Sequence, residues 1–115
     1  MQLEARKFLF DMQGAATMIR TFTAGRTFAD YQADPMLRSA VERQFEILGE
    51  ALNRLAKLDP AVASRVSDYR RIISFRNALI HGYDSIQDEV VWGILEAGLP
   101  ALEKTITELL GSESS

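Results

Sequence analysis

The sequence predicts an all-α fold, an antiparallel bundle of four main helices, on three observations. Apolar residues recur every three or four positions through most of the chain, and no segment alternates apolar and polar residues with strand-forming composition. Two Asp-Pro steps, Asp34-Pro35 and Asp59-Pro60, each set an N-cap residue before a proline suited to the first helical position. Gly25, Gly82 and Gly111 stand where apolar stripes stop, as helix-ending glycines do. At 115 residues and 47% hydrophobic, residues 1–115 have the length and composition of a single domain with a real core.

The first helix is expected from about Leu3 to Thr23, with Phe8, Met12, Ala15, Ala16, Ile19 and Phe22 on one stripe. A helical turn over Phe28 to Ala33 follows. Asp34-Pro35 opens a second long helix that turns Leu37, Val41, Leu48, Ala51, Leu52 and Leu55 inward and stops near Lys57. Asp59-Pro60 starts a turn or two ending near Val66. The third main helix begins at Ser67 or Asp68, carries Ile72, Ile73, Phe75, Leu79 and Ile80, and ends at the Gly82 cap. Ser85-Ile86-Gln87-Asp88 resembles a capping box for the fourth, which runs through Trp92, Leu95, Leu99, Leu102, Ile106 and Leu109 to Gly111 with a kink at Pro100. Trp92, Met12, Met18 and Met36 are assigned to packing. Residues 111–115 have nothing to bury and are expected to be a mobile tail.

The chain has no cysteine, which excludes a disulfide framework, a thiolate zinc site and a cysteine nucleophile. No apolar run approaches the roughly 20 residues of a membrane span, and the N-terminus leads into no signal-peptide core, so a cytoplasmic protein is expected. The net charge of -3 is unevenly spread: residues 65–81 hold four arginines against Asp68 alone, whereas residues 82–115 hold Lys104 against seven acids. A weakly acidic chain is not built to coat nucleic acid indiscriminately, but one arginine-rich segment suffices to hold one phosphate.

That segment contains the only histidine, His81, in Arg76-Asn77-Ala78-Leu79-Ile80-His81-Gly82-Tyr83. An imidazole, with an ordinary pKa of about 6.5, is the side chain suited to moving protons near neutrality. Asn77 and His81, four residues apart on a helix, share a face; Arg76 borders it, and Tyr83 lies just past the cap. Two readings remain open from the residues alone. Either these groups form a proton-transfer and phosphate-binding site, or His81 and Arg76 simply complement a helix C-terminus while Asn77 is solvated. The carboxylates Asp84, Asp88 and Glu89 suit a solvated helix start better than a metal site.

Arg76, His81 and Tyr83 form an R-x4-H-x-Y pattern, with Asn77 directly after the arginine, and this resembles the motif of HEPN domains. Phe45-Glu46-Ile47-Leu48-Gly49-Glu50-Ala51-Leu52-Asn53-Arg54-Leu55 is similar to the "leIiGEA.kRL" helix of the HepT-like toxin ribonucleases. Val91-Trp92 and Leu99-Pro100 resemble that family's "vW…lP.L" ending, so the likeness covers about residues 4–110. One departure is Val66-Ser67-Asp68-Tyr69, where the family often has Pro-x-x-Trp; it bears on subgroup more than on fold.

The resemblance implies a HEPN-type four-helix bundle and a metal-independent endoribonuclease without a cofactor. Arg76 and His81 would be catalytic, with Asn77 and Tyr83 supporting them; Glu50, in the matching Gly49-Glu50-Ala51 step, is either a brace for Arg76 or the motif helix, or an exposed helical carboxylate. It implies a homodimer whose two motifs face one cleft, an RNA substrate and no membrane. It also implies a role as toxin of a type VII-like toxin-antitoxin pair, neutralised by an MntA-type nucleotidyltransferase antitoxin that adds AMP at Tyr83. The alternative is a noncatalytic nucleotide- or partner-binding HEPN subunit of a nucleotidyltransferase complex.

Overall fold

Two long helices form the spine of the molecule. In the computed structural model, which describes residues 1–82 and 87–111, α1 (Leu3–Thr23) packs along α3 (Pro35–Leu58), and the six-residue α2 (Phe28–Ala33) joins them. The α1 stripe is buried as its spacing dictates, from Ala5 and Leu9 through Met12 to Ile19, and Phe22 is half-buried at its end. Gly25 then takes φ +73°, a left-handed conformation that costs glycine little.

Both Asp-Pro start signals in the sequence have a physical counterpart. The Asp34 carboxylate accepts from the backbone N–H groups of Met36 at 3.0 Å and Leu37 at 3.2 Å, and Pro35 occupies the first turn of α3. Asp59 closes α3 and caps the short α4 (Pro60–Ala63) by accepting from the Val62 N–H. At α2 a reciprocal cap pairs Thr27 and Asp30: the Asp30 N–H donates to Thr27 Oγ1 at 3.1 Å, and the Thr27 N–H donates to Asp30 Oδ2 at 3.0 Å. The backbone and hydroxyl of Thr27 hold the Asp30 carboxyl below the usual carboxylate range.

α5 (Tyr69–His81) lies on α3. Only Phe75 on it is fully buried, edge-on to Phe45 of α3 at 5.4 Å between ring centroids, while Ile72, Ile73 and Leu79 are half-buried. Ile80 is exposed. Asp68, at φ +59°, turns the chain into α5, and Gly82, at φ +65°, ends it.

The fourth helix is broken into α6 (Asp88–Gly93), a π-helical turn (Ile94–Gly98) and α7 (Leu99–Gly111). Pro100 has no N–H to donate to the carbonyl four residues back. One residue earlier, the Leu99 N–H donates to the Ile94 carbonyl, so the helix widens upstream of the proline. α7 packs on α1 and buries Leu99, Leu102 and Ile106, and α6 packs on α2. Trp92 is half-buried there, 5.3 Å from the Tyr31 ring and 6.2 Å from the Phe28 ring.

Several details depart from the sequence reading. Tyr31, which carried no core signal, is wholly buried, and burial raises its phenol pKa far above the ordinary value. Met12 is core, but Met18 and Met36 are exposed, at 42% and 81%, because they fall outside the stripes facing the neighbouring helices. α6 takes Gln87 as its N-cap without a side-chain bond, and Ser85 of the expected capping box lies outside the described residues. Gly111 is the last residue of α7; residues 112–115 of the expected tail, and Tyr83 and Asp84, also lie outside the described residues.

The expected four-helix bundle is present, with α6, the π turn and α7 acting as one member. Between α5 and that member runs an open groove of about 830 Å³, lined by Ile72, Phe75, Val90, Ile94 and Leu102 among others.

Candidate functional site

Gly49 and Glu50, adjacent on α3, decide where Arg76 of α5 goes. The first carbons of the Arg76 side chain cross directly over Gly49: a Cβ at position 49 would overlap Arg76 Cβ and lie 2.6 Å from its Cγ. Only glycine permits that approach. The guanidinium then reaches Glu50, and Arg76 Nη2 donates to Glu50 Oε2. The other carboxylate oxygen, Glu50 Oε1, accepts from Arg54 Nε at 2.9 Å, one turn along α3.

Two guanidiniums therefore share one carboxylate. The hydrogen bond from Arg54, followed by the nearby charge of Arg76, holds the Glu50 carboxyl below the usual range, against the opposing effect of partial desolvation. Of the two roles open to Glu50 in the sequence, the brace for Arg76 is the one observed.

Arg76 Nη1 donates to Asn77 Oδ1 at 2.7 Å. An arginine has no acceptor, so the amide atom facing it must be the oxygen, and the Asn77 NH2 is left as the group available to other partners. The Arg76 side chain is only 19% exposed, and its Nε is buried with no hydrogen-bond partner among the described residues. One of its five N–H groups goes to Glu50, one to Asn77, and the Nε–H is buried. One N–H on each terminal nitrogen remains.

His81 is the final residue of α5 and is exposed. Five residues of helix separate it from Arg76 by about 140° around the axis, whereas Asn77 and His81 differ by about 40°. Asn77, bonded to Arg76 and sharing a face with His81, thus links the arginine's side of the helix to the histidine's. Of the four residues singled out in the sequence, the structure joins Arg76 to Asn77 and sets His81 one turn further on; Tyr83 lies outside the described residues. Sequence reasoning missed Gly49 as the enabling residue, and Arg54 as the second cation on Glu50. The four-residue spacing from Glu50 to Arg54 was the available signal. Asp88 and Glu89 occupy the first turn of α6, and among the described residues no three His, Asp or Glu side chains gather where they could hold a metal.

Comparison with known proteins gives the family of the chain. The family profile described as "Ribonuclease HepT-like" matches residues 12–109, nearly the whole chain. The chain belongs to the HepT-like ribonuclease family. A Caldanaerobacter subterraneus subsp. tengcongensis protein named "Putative RNase" is 35% identical over 89 residues, 77% of this chain and 79% of that protein. "Probable ribonuclease HepT" of Thermococcus cleftensis is 28% identical over 113 residues, 95% of this chain and 98% of its own. A Methanocaldococcus jannaschii protein, also named "Putative RNase", is 28% identical over 103 residues, 90% and 94% of the two chains. No solved structure gives a significant match. No helix among the described residues of this HepT-like chain is long and apolar enough to cross a membrane.

Proposed function

We propose that this HepT-like chain is a metal-independent endoribonuclease, the cytoplasmic toxin of a type VII-like toxin-antitoxin pair. The observation that carries the reading is the arrangement at the end of α5. There an arginine is oriented by a carboxylate and an asparagine, and the chain's single imidazole lies one turn away, exposed.

The chemistry follows from the groups present. The RNA 2'-hydroxyl attacks the adjacent phosphorus and loses its proton to a base; the bond from phosphorus to the 5'-oxygen breaks as an acid protonates that oxygen. The products are a 2',3'-cyclic phosphate and a 5'-hydroxyl. His81 serves as base or acid. The two remaining terminal N–H groups of Arg76 suit two phosphoryl oxygens, where charge accumulates in the transition state. Asn77, its oxygen committed to Arg76, contributes its NH2 to a phosphoryl oxygen or to an unprotonated imidazole nitrogen.

One imidazole cannot be base and acid at the same instant, which favours a two-fold homodimer in which a second His81 supplies the other proton transfer. The half-buried apolar side chains of α5, and the apolar groove beside them, give a second copy a surface to cover. Neutralisation is assigned to a nucleotidyltransferase antitoxin that transfers AMP to Tyr83, adding an anionic phosphodiester beside the arginines.

The test is to incubate the purified chain with RNA in EDTA and to analyse the ends produced. Cleavage leaving 2',3'-cyclic phosphate and 5'-hydroxyl ends supports the reading. No cleavage, together with nucleotide binding that depends on Arg76, supports the noncatalytic alternative.

A further inference from the structure

A second groove, of about 460 Å³, opens beside Arg76, between α1, α3 and the C-terminal half of α5. Its volume suits a small ligand. Its wall includes Phe10 of α1, Ile47 of α3 and Ile80 of α5; Phe10 is 53% exposed and Ile80 47%. Lys7, Arg43, Arg54 and Arg76 supply its cations. The carboxylates present are each engaged: Asp11 by Lys7 at 3.7 Å, Glu46 by Arg43 at 3.2 Å, and Glu50 by both Arg54 and Arg76.

Charge is therefore balanced along most of the groove and positive only at the end where two guanidiniums share Glu50. A basic end joined to an exposed aromatic ring is the arrangement that single-stranded nucleic acid requires, with phosphate at the one and a stacked base at the other. Arg6 lies 5.8 Å from the Phe10 ring centroid on α1 and adds a further cation beside that ring.

We infer that this groove is an RNA subsite: it holds the nucleotide next to the scissile phosphate, its base stacked against Phe10 and Ile80 and its backbone led to Arg76. The inference rests on the ribonuclease reading, but it assigns substrate positioning to residues outside the R-x4-H-x-Y motif. Two features select single-stranded RNA over a protein occupant: the groove is continuous with the proposed phosphate site, and its excess charge, at that junction, is positive.

The experiment uses the full chain carrying His81→Ala, so that RNA is bound but not cut, with a short fluorescein-labelled oligouridylate as probe. Binding is read by anisotropy, and the Michaelis parameters are measured on the same substitutions with His81 intact. Phe10→Ala should weaken binding about tenfold and raise KM more than it lowers kcat; Arg43→Ala should act in the same direction. Met36→Ala, which removes a still more exposed apolar side chain outside the groove, should change neither. Unchanged binding and KM in Phe10→Ala, with cleavage by the unsubstituted chain intact, overturns the subsite and leaves the ribonuclease reading standing. A fall in light-scattering mass in Phe10→Ala, with RNA binding unaltered, makes the groove a protein interface and overturns it too. Absence of both binding and cleavage in the unsubstituted chain overturns the ribonuclease reading itself.

Discussion

Arg76 crosses α3 where Gly49 has no side chain, and it ends on the carboxylate of the next residue, Glu50. Two consecutive residues of one helix thus do different work for one arginine: the first admits it and the second aims it. Gly49→Ala tests the admission. Alanine gains about 1 kcal/mol of helix propensity, but overpacking against a side-chain stem anchored to α5 costs about 1–3 kcal/mol. The clash cannot be relieved by rotating a flexible tip, because the first carbons of Arg76 move only with their helix. Net destabilisation of about 1 kcal/mol is expected in a denaturant titration, with a larger proportional loss of RNA cleavage.

Glu50→Gln tests the aim. The pair is only partly withdrawn from water, so its removal should cost no more than about 1 kcal/mol of stability, whereas misplacing the guanidinium should slow cleavage about ten- to a hundredfold. The pH dependence has a definite sign. The folded Glu50 carboxyl titrates below its ordinary value of 4.5, so its stabilisation is complete above that value and is lost as pH falls through the lower folded value. Thermal melts of the two proteins should therefore differ at neutral pH and converge in acid.

Glu42 behaves oppositely. Desolvation, followed by the charges of Asp88 and Glu46, raises its carboxyl pKa above 4.5, with Arg38 opposing. A raised folded value means that ionised Glu42 destabilises the fold; the penalty is absent below the unfolded value and grows as pH rises through the folded one. Glu42→Gln should therefore raise the melting temperature at pH 7, and the gain should vanish in acid.

The contrast between these glutamates shows what a sequence can reveal. Helix starts were legible because Asp34-Pro35 and Asp59-Pro60 encode caps locally, and the stripes of α1 and α3 were legible because burial follows the helical period. The motif at Arg76 and His81 was legible by its spacing. Tyr31 was not, because a six-residue helix is too short to show a stripe. Neither was the choice between a bracing and a solvated Glu50: its partner is 26 residues away, and only the packing of α5 on α3 brings them together. The same holds for the groove at Phe10, which three separated helices build.

Tyr83→Phe tests the proposed regulation. It keeps the ring and removes only the acceptor oxygen. After co-expression with the nucleotidyltransferase antitoxin proposed for it, the wild-type chain should gain mass in multiples of AMP and the variant none. An adduct found solely at Tyr69 overturns the assignment of Tyr83, and inhibition that persists in the variant without any adduct shows neutralisation by docking.

The most direct measurement is the rate of RNA cleavage in EDTA by His81→Ala beside the wild-type chain, with folding checked by circular dichroism. His81 is exposed at a helix end, so the substitution should leave helicity and melting nearly unchanged. Loss of the proton-transferring group should lower the rate by about 10² to 10⁴. A folded His81→Ala protein that cleaves RNA as fast as wild type contradicts the assignment of the α5 terminus as the ribonuclease site.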